Sequence, residues 1–135
     1  MNMEAISGQF QCYPLRLHPG QEIYSSLLKF VRSNHLTSAF ILTCVGSVTK
    51  AHLRMTNTEA TKHYEGHFEI VSLVGTLSGG EKGHLHICLS NERGEVIGGH
   101  VMGDLIVYTT AEVMIGSCKI SLSPDQWIQK QDMTN

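Results

Sequence analysis

The chain has 135 residues, 41% hydrophobic and 16% charged, with a formal net charge of -2. That length predicts one domain over 1–135 with its own core, and the charge balance argues against a strong phosphate-binding surface, which needs clustered Lys and Arg. No apolar run is long enough to cross a bilayer as a helix, and Met1 to Ile6 shows neither the basic region nor the apolar run of a signal peptide.

The expected location is therefore intracellular, in the cytoplasm, with the nucleus as the alternative. The four cysteines, Cys12, Cys44, Cys88 and Cys118, are widely spaced and form no Cys-x-x-Cys pair. They read as reduced thiols, most of them small apolar fillers.

Ser7 to Leu17 alternates loosely and predicts a first strand, with Phe10, Cys12 and Leu15 as core candidates. Pro19-Gly20 breaks it. Gln21 to Asn34 has helical periodicity, with Ile23, Leu27, Leu28, Phe30 and Val31 on one face and Asn34 as the stop. Thr37 to Val45 is nearly continuous apolar sequence, which predicts a strand covered on both faces. Gly46-Ser47 reads as a turn or bulge. Ala51, Leu53 and Met55 then alternate with polar residues, and Met55 to Thr61 reads as a loop.

His67 to Leu77 predicts a strand carrying Phe68, Ile70, Val71, Leu73 and Val74. Ser78 to Gly83 is a flexible connection. Leu85, Ile87 and Leu89 alternate with His84, His86 and Cys88. Further strand is expected at Val96-Ile97, at Val101 to Tyr108 after a Gly98-Gly99 interruption, and at Glu112 to Ile120. The core is expected over about 7–121, with 122–135 as a polar tail in which Trp127-Ile128 docks back on the domain and Gln129 to Asn135 frays. The fold class is α+β: one main helix on a mostly antiparallel sheet.

The densest chemistry lies in His84-Leu85-His86 and in Gly98-Gly99-His100. Strand side chains alternate, so a His-x-His pair sends both imidazoles to one face. Asn91-Glu92-Arg93-Gly94 reads as a turn that would bring His100 back beside His86. Three converging imidazoles bind zinc well and leave a fourth position open. Cys88 continues the same face as a soft donor or, more simply, as core filler. Glu69 and Glu112 stand in otherwise apolar strands, where each would orient a histidine, act as a base or face solvent. Arg16 reads as an anion holder or a structural ion-pair partner. His18, His35, His52, His63 and His67 have no ligand spacing and read as surface residues.

Several short segments, in this order, resemble the plant and prokaryote conserved (PPC) domain family. They are Arg16-Leu17-His18-Pro19-Gly20-Gln21-Glu22, Val45-Gly46-Ser47-Val48 with Ala51-His52-Leu53-Arg54, Gly66-His67-Phe68-Glu69-Ile70-Val71 with Leu73-Val74-Gly75-Thr76, His84-Leu85-His86, Gly94 to His100, and Glu112-Val113. The resemblance runs from about Arg16 to Ser117. It implies an α/β domain that assembles as a homotrimer, with a metal site at His84, His86 and His100. In plant members a Gly-Arg-Phe-Glu-Ile-Leu segment is tied to protein-partner binding. Its counterpart here is Gly66 to Val71, with His67 in place of the arginine. Plant members bind DNA through a separate Arg-Gly-Arg-Pro hook, which this sequence lacks.

Three functional readings follow. The first is a homotrimeric, metal-binding interaction module, with zinc as the expected ion. The second is a zinc-dependent hydrolase or lyase acting on a small molecule, although no Ser-His-Asp or Cys-His pattern accompanies the histidines. The third is a DNA-associated regulator by analogy with the plant proteins. The first is preferred, with self-association and a protein partner expected, and neither membrane attachment nor tight sequence-specific DNA binding.

Overall fold

The computed structural model describes residues 3–120. Five strands and one helix run in the order β1 (Gly8–Leu17), α1 (Ile23–Ser33), β2 (Ala39–Arg54), β3 (Thr61–Ser78), β4 (His84–Ser90) and β5 (Val96–Ile120). All strand pairings are antiparallel. The sheet order is β1-β5-β2-β3-β4, and β4 also pairs with β5, so β2, β3, β4 and β5 close into a ring. Closure removes the free edges of these four strands over their paired lengths. The polar tail and the expected docking of Trp127-Ile128 lie outside the described residues.

The α+β expectation holds: one helix lies against a sheet that is antiparallel throughout. The helical face is buried at Ile23, Leu27, Leu28 and Val31, with Phe30 half-buried. Glu22 caps the helix by accepting from Tyr24 N at 3.0 Å and Ser25 N at 2.6 Å. The same carboxylate accepts from Leu105 N at 2.9 Å, which fastens the helix start to β5. At the other end Asn34 donates its side-chain amide to Phe30 O, and His35 takes a left-handed φ of 54°. That conformation ends an α-helix, with histidine standing where glycine is commoner.

Leu27 is fully buried beneath this helix, together with Leu53, Leu77, Leu85, Leu89 and Leu105 from the strands. We expect Leu27→Ala to lower unfolding stability by about 2–5 kcal/mol, read from a urea unfolding curve with an unchanged slope.

Three expectations are corrected. β1 buries only Leu17; Phe10 and Cys12 are exposed and Leu15 is half-buried, because β1 pairs with β5 alone at the edge of the sheet. The 37–45 run is not covered on both faces, since Leu42 is 51% and Val45 61% exposed. Gly46-Ser47 is the bulge of the two alternatives, not a turn: β2 runs on through it to Arg54, with a register shift against β5 between Gly46 and Val48. Likewise the three segments expected after Val96 are one 25-residue strand. Val71 and Val74, at 58% and 54% exposed, join Leu42 and Val45 outside the core. No described helix is long and apolar enough to cross a membrane.

Candidate metal centre

β4 obeys strict alternation: Leu85, Ile87 and Leu89 are buried, while His84 and His86 are exposed and Cys88 is half-buried. The turn after it is built as the sequence suggests. Asn91 Oδ1 accepts from Arg93 N and Glu95 N, both at 3.0 Å, and Gly94 N donates to Asn91 O at 2.9 Å. This turn sets the β4–β5 register, in which His86 stands opposite His100. Directly opposed residues on antiparallel strands share a face, so His100 joins the His84–His86 pair.

Ring centroids are 5.2 Å apart for His84–His86, 5.2 Å for His84–His100 and 5.6 Å for His86–His100. One nitrogen from each ring lies within 4.8 Å of the others. A tetrahedral zinc about 2.0–2.1 Å from each nitrogen would draw them closer, which two exposed rings can do by rotating. The donor set fits: imidazole nitrogens suit zinc and neighbouring first-row ions. The electrostatics fit as well. Partial burial lowers the pKa of His100, and the positive charge of Arg54 lowers it further, with smaller contributions from His84, His86 and Lys82. A histidine kept neutral is ready to ligate.

Two close approaches hold the strands in place. A Cβ on Gly75, at φ 137°, would lie 1.9 Å from His84 O. A Cβ on Gly99 would lie 2.9 Å from Arg54 O. Glycine therefore lets β3 press on β4 beside His84, and β5 press on β2 beside His100.

The histidines border a solvent-open cavity of about 1020 Å³. Its other wall is Arg54, Met55 and the Thr56–Glu59 segment, with Cys88 and Gly98-Gly99 at the base. Sequence reasoning missed this wall. Residues 55–61 were readable as a loop, but only the β2–β5 register, with Arg54 opposite His100, brings that loop to the cavity the histidines line. Glu59 is thus the carboxylate placed on the cavity.

The other candidates lie elsewhere. Glu69 is exposed opposite Ser90, at the turn end of β4. That is roughly 15 Å along the strand from the residue facing His86. Glu112 sits opposite Arg16 and Val45, in the half of β5 that pairs with β1. Arg16 donates from Nε to Thr110 Oγ1 at 3.2 Å. Neither carboxylate is brought to the three histidines. Cys88 lines the cavity but is not in the three-donor group. The Gly66–Val71 segment belongs to β3. His67 stacks on Tyr108 at 4.1 Å, and Gly66, His67 and Phe68 line a smaller cavity of about 370 Å³ with Asn91, Glu92 and Arg93.

Known proteins share this fold. A hypothetical protein from Salmonella enterica superposes with a TM-score of 0.80 at 42% identity, over 87% of this chain and 83% of that one. A plant- and prokaryote-conserved protein from Pyrococcus horikoshii gives 0.71 at 25% identity, over 88% and 85%. A metal-containing protein from Archaeoglobus fulgidus shares the fold, with a TM-score of 0.72 at 22% identity over 87% of each chain. Among curated sequences, the bifunctional protein GlmU of a Synechococcus strain is 34% identical over 87% of this chain. The AT-hook motif nuclear-localized protein 13 of Arabidopsis thaliana is 31% identical over 96%. The chain spans only 19% and 31% of the length of those two relatives. The model of the Plants and Prokaryotes Conserved domain, the family named above as PPC, matches residues 5–119, and with nearly all of the described chain inside that match, the chain belongs to this family.

Proposed function

We propose that this chain is a self-assembling PPC module that holds one divalent ion, zinc by donor preference, on His84, His86 and His100. The observation that carries this reading is the convergence of three imidazole nitrogens within 4.8 Å from two strands whose register is fixed by the Asn91–Gly94 turn. The ion would sit at the rim of a cavity, held by three protein ligands with a position left for a ligand or partner. The test is elemental analysis of untagged protein after zinc loading and dialysis. About one zinc per chain is expected, and a protein that retains none would end this reading.

Assembly is the second half of the proposal. The family resemblance implies a homotrimer, and the exposed Leu42, Val45, Val71 and Val74 give it an apolar surface to bury. Gly66 to Val71 is the segment offered to a protein partner.

An enzymatic reading is favoured by one observation, the cavity of about 1020 Å³ against the histidines with Glu59 on its wall. A three-ligand zinc supplies Lewis acidity. Arg54 would hold an anionic part of a small substrate, and Glu59 would act as general base in a hydrolase or lyase. Glu59→Gln should then abolish turnover and leave the zinc content unchanged.

Two further solved structures with this fold, one from Bacteroides thetaiotaomicron and one from Ralstonia eutropha, are described as putative DNA-binding proteins. This chain has 10 Lys and Arg against 12 Asp and Glu, and no hook motif. We expect only weak, salt-sensitive duplex binding. Submicromolar anisotropy binding to an AT-rich duplex at physiological salt, surviving random competitor, would contradict this.

A further inference from the structure

We infer that the chain carries a second divalent-metal site, formed by His52, His63 and Asp104, separate from the three-histidine centre. No ligand spacing in the sequence marks these residues, because they come from three strands. The β2–β3 register sets His52 opposite His63. The β2–β5 register sets His52 opposite Gly103, which places Asp104 beside the pair. One donor atom from each of the three lies within 4.8 Å of the others. Among the described residues, only this group and the three-histidine group bring three such donors together.

One observation points to a ligand, and the placement of Asp104 suits a cation. His52 Nε2 is buried and has no hydrogen-bond partner. A buried polar atom without a partner bears its full desolvation penalty, and a bound ion or water is a standard way to relieve it. Asp104 adopts a left-handed φ of 51°. Aspartate tolerates that conformation better than most residues, but it is still an uncommon one. It puts a carboxylate next to two imidazoles, where its charge would offset that of a cation.

The two imidazoles are stacked, with centroids 3.9 Å apart and planes 12° from parallel. A ring nitrogen's lone pair lies in the ring plane, so two nearly parallel rings cannot share one ion. Binding must open the stack. His63 and Asp104 are exposed and free to swing, while half-buried His52 stays as the fixed donor. Cross-strand Cβ atoms about 4.5–5.5 Å apart are near enough for both rings to reach one ion after rotation.

Two nitrogens and one oxygen select a first-row divalent ion such as cobalt, nickel or zinc over calcium or magnesium, which prefer all-oxygen shells. The two sites are not one bridged centre. Arg54 lies opposite His100 and two residues from His52 on β2, a separation of roughly 7 Å along the strand, whereas bridged ions sit about 3.5–4 Å apart.

Cobalt titration of the untagged full chain, followed by visible absorption and by the histidine ring resonances, tests the site. Two ions per chain are expected, falling to one in His63→Ala and also to one in His86→Ala. In the His86→Ala background, adding His63→Ala should weaken the remaining site by more than about 100-fold, and adding Asp104→Asn by about tenfold or more. Ring resonances of His52 and His63 should move together as cobalt fills it. Absence of cobalt uptake at millimolar concentration in His86→Ala, or an affinity unchanged by His63→Ala and Asp104→Asn, would overturn the inference. If the three-histidine reading alone is wrong, the unsubstituted chain would bind one ion that is lost in His63→Ala and kept in His86→Ala.

Discussion

Replacing His86 with alanine is expected to strip the three-histidine centre of its ion while leaving the fold intact. His86 contributes a central donor: it is paired across the strands with His100 and shares β4 with His84. Its side chain is exposed, so truncation leaves no core cavity. Changes to residues that only orient a metal ligand cost about 10–100-fold in affinity, so deleting a ligand should cost more than about 100-fold. Competition against a chelator of known affinity reads this directly, and circular dichroism checks that the sheet persists. An unchanged zinc affinity would refute the assignment.

The pH dependence has a definite sign. Burial and neighbouring cations hold the pKa of His100 below its ordinary value, so the unfolded chain takes up that proton more readily than the folded one. The stability linked to His100 is therefore complete above about pH 6.5 and is lost as pH falls through the lower folded-state value. Zinc binding runs in the same direction, because a protonated imidazole cannot ligate. Affinity should be flat above neutrality and fall on acidification, as a competition titration across that range would show.

The helix and the convergence of the three histidines were legible because their signals are local. Ile23, Leu27 and Val31 repeat at helical spacing. His84 and His86 share a face by strand alternation, and the Asn91–Gly94 turn implies the return of His100. Less was legible where the structure depends on register. The Gly98-Gly99 pair, which breaks the apolar pattern, is the place where β5 squeezes between β4 and β2. A strand that changes neighbours along its length has no one-dimensional signature, so β5 reads as three pieces. The His52–His63 pairing and the sharing of one cavity by Arg54, Glu59 and the three histidines are products of β2–β3 and β2–β5 alignment. Burial was misread in the 37–45 run for another reason. An apolar side chain looks the same in sequence whether its own chain covers it or another copy does, and Val45 and Val71 lie outside the core of one chain.

That outward apolar surface leads to the second large effect: Val45→Lys is expected to turn the proposed trimer into monomers. Ile41, Cys44, Ile70 and Leu73 point into the core, which leaves Leu42, Val45, Val71 and Val74 pointing away from it on adjacent strands. A patch of this kind is unusual on a protein that stays alone in water. Fully covering one such side chain is worth about 1.5–3 kcal/mol. In a closed three-fold ring each substitution is repeated three times, so losing Val45 alone removes roughly 5–9 kcal/mol of association energy per trimer. Lysine adds the cost of an unpaired charge in an apolar contact. Light scattering at micromolar concentration should give a trimeric mass for the unsubstituted chain and a monomeric one for Val45→Lys. The substituted residue is exposed in the single chain, so its fold should survive. Zinc content then separates two arrangements. If Val45→Lys monomers keep their zinc, the three histidines of one subunit suffice. If the zinc is lost with assembly, a neighbouring subunit completes the site, a coupling made plausible by the register, in which His86 stands opposite Val74 on the same exposed face. A monomeric mass for the unsubstituted protein would remove the assembly from the proposed function.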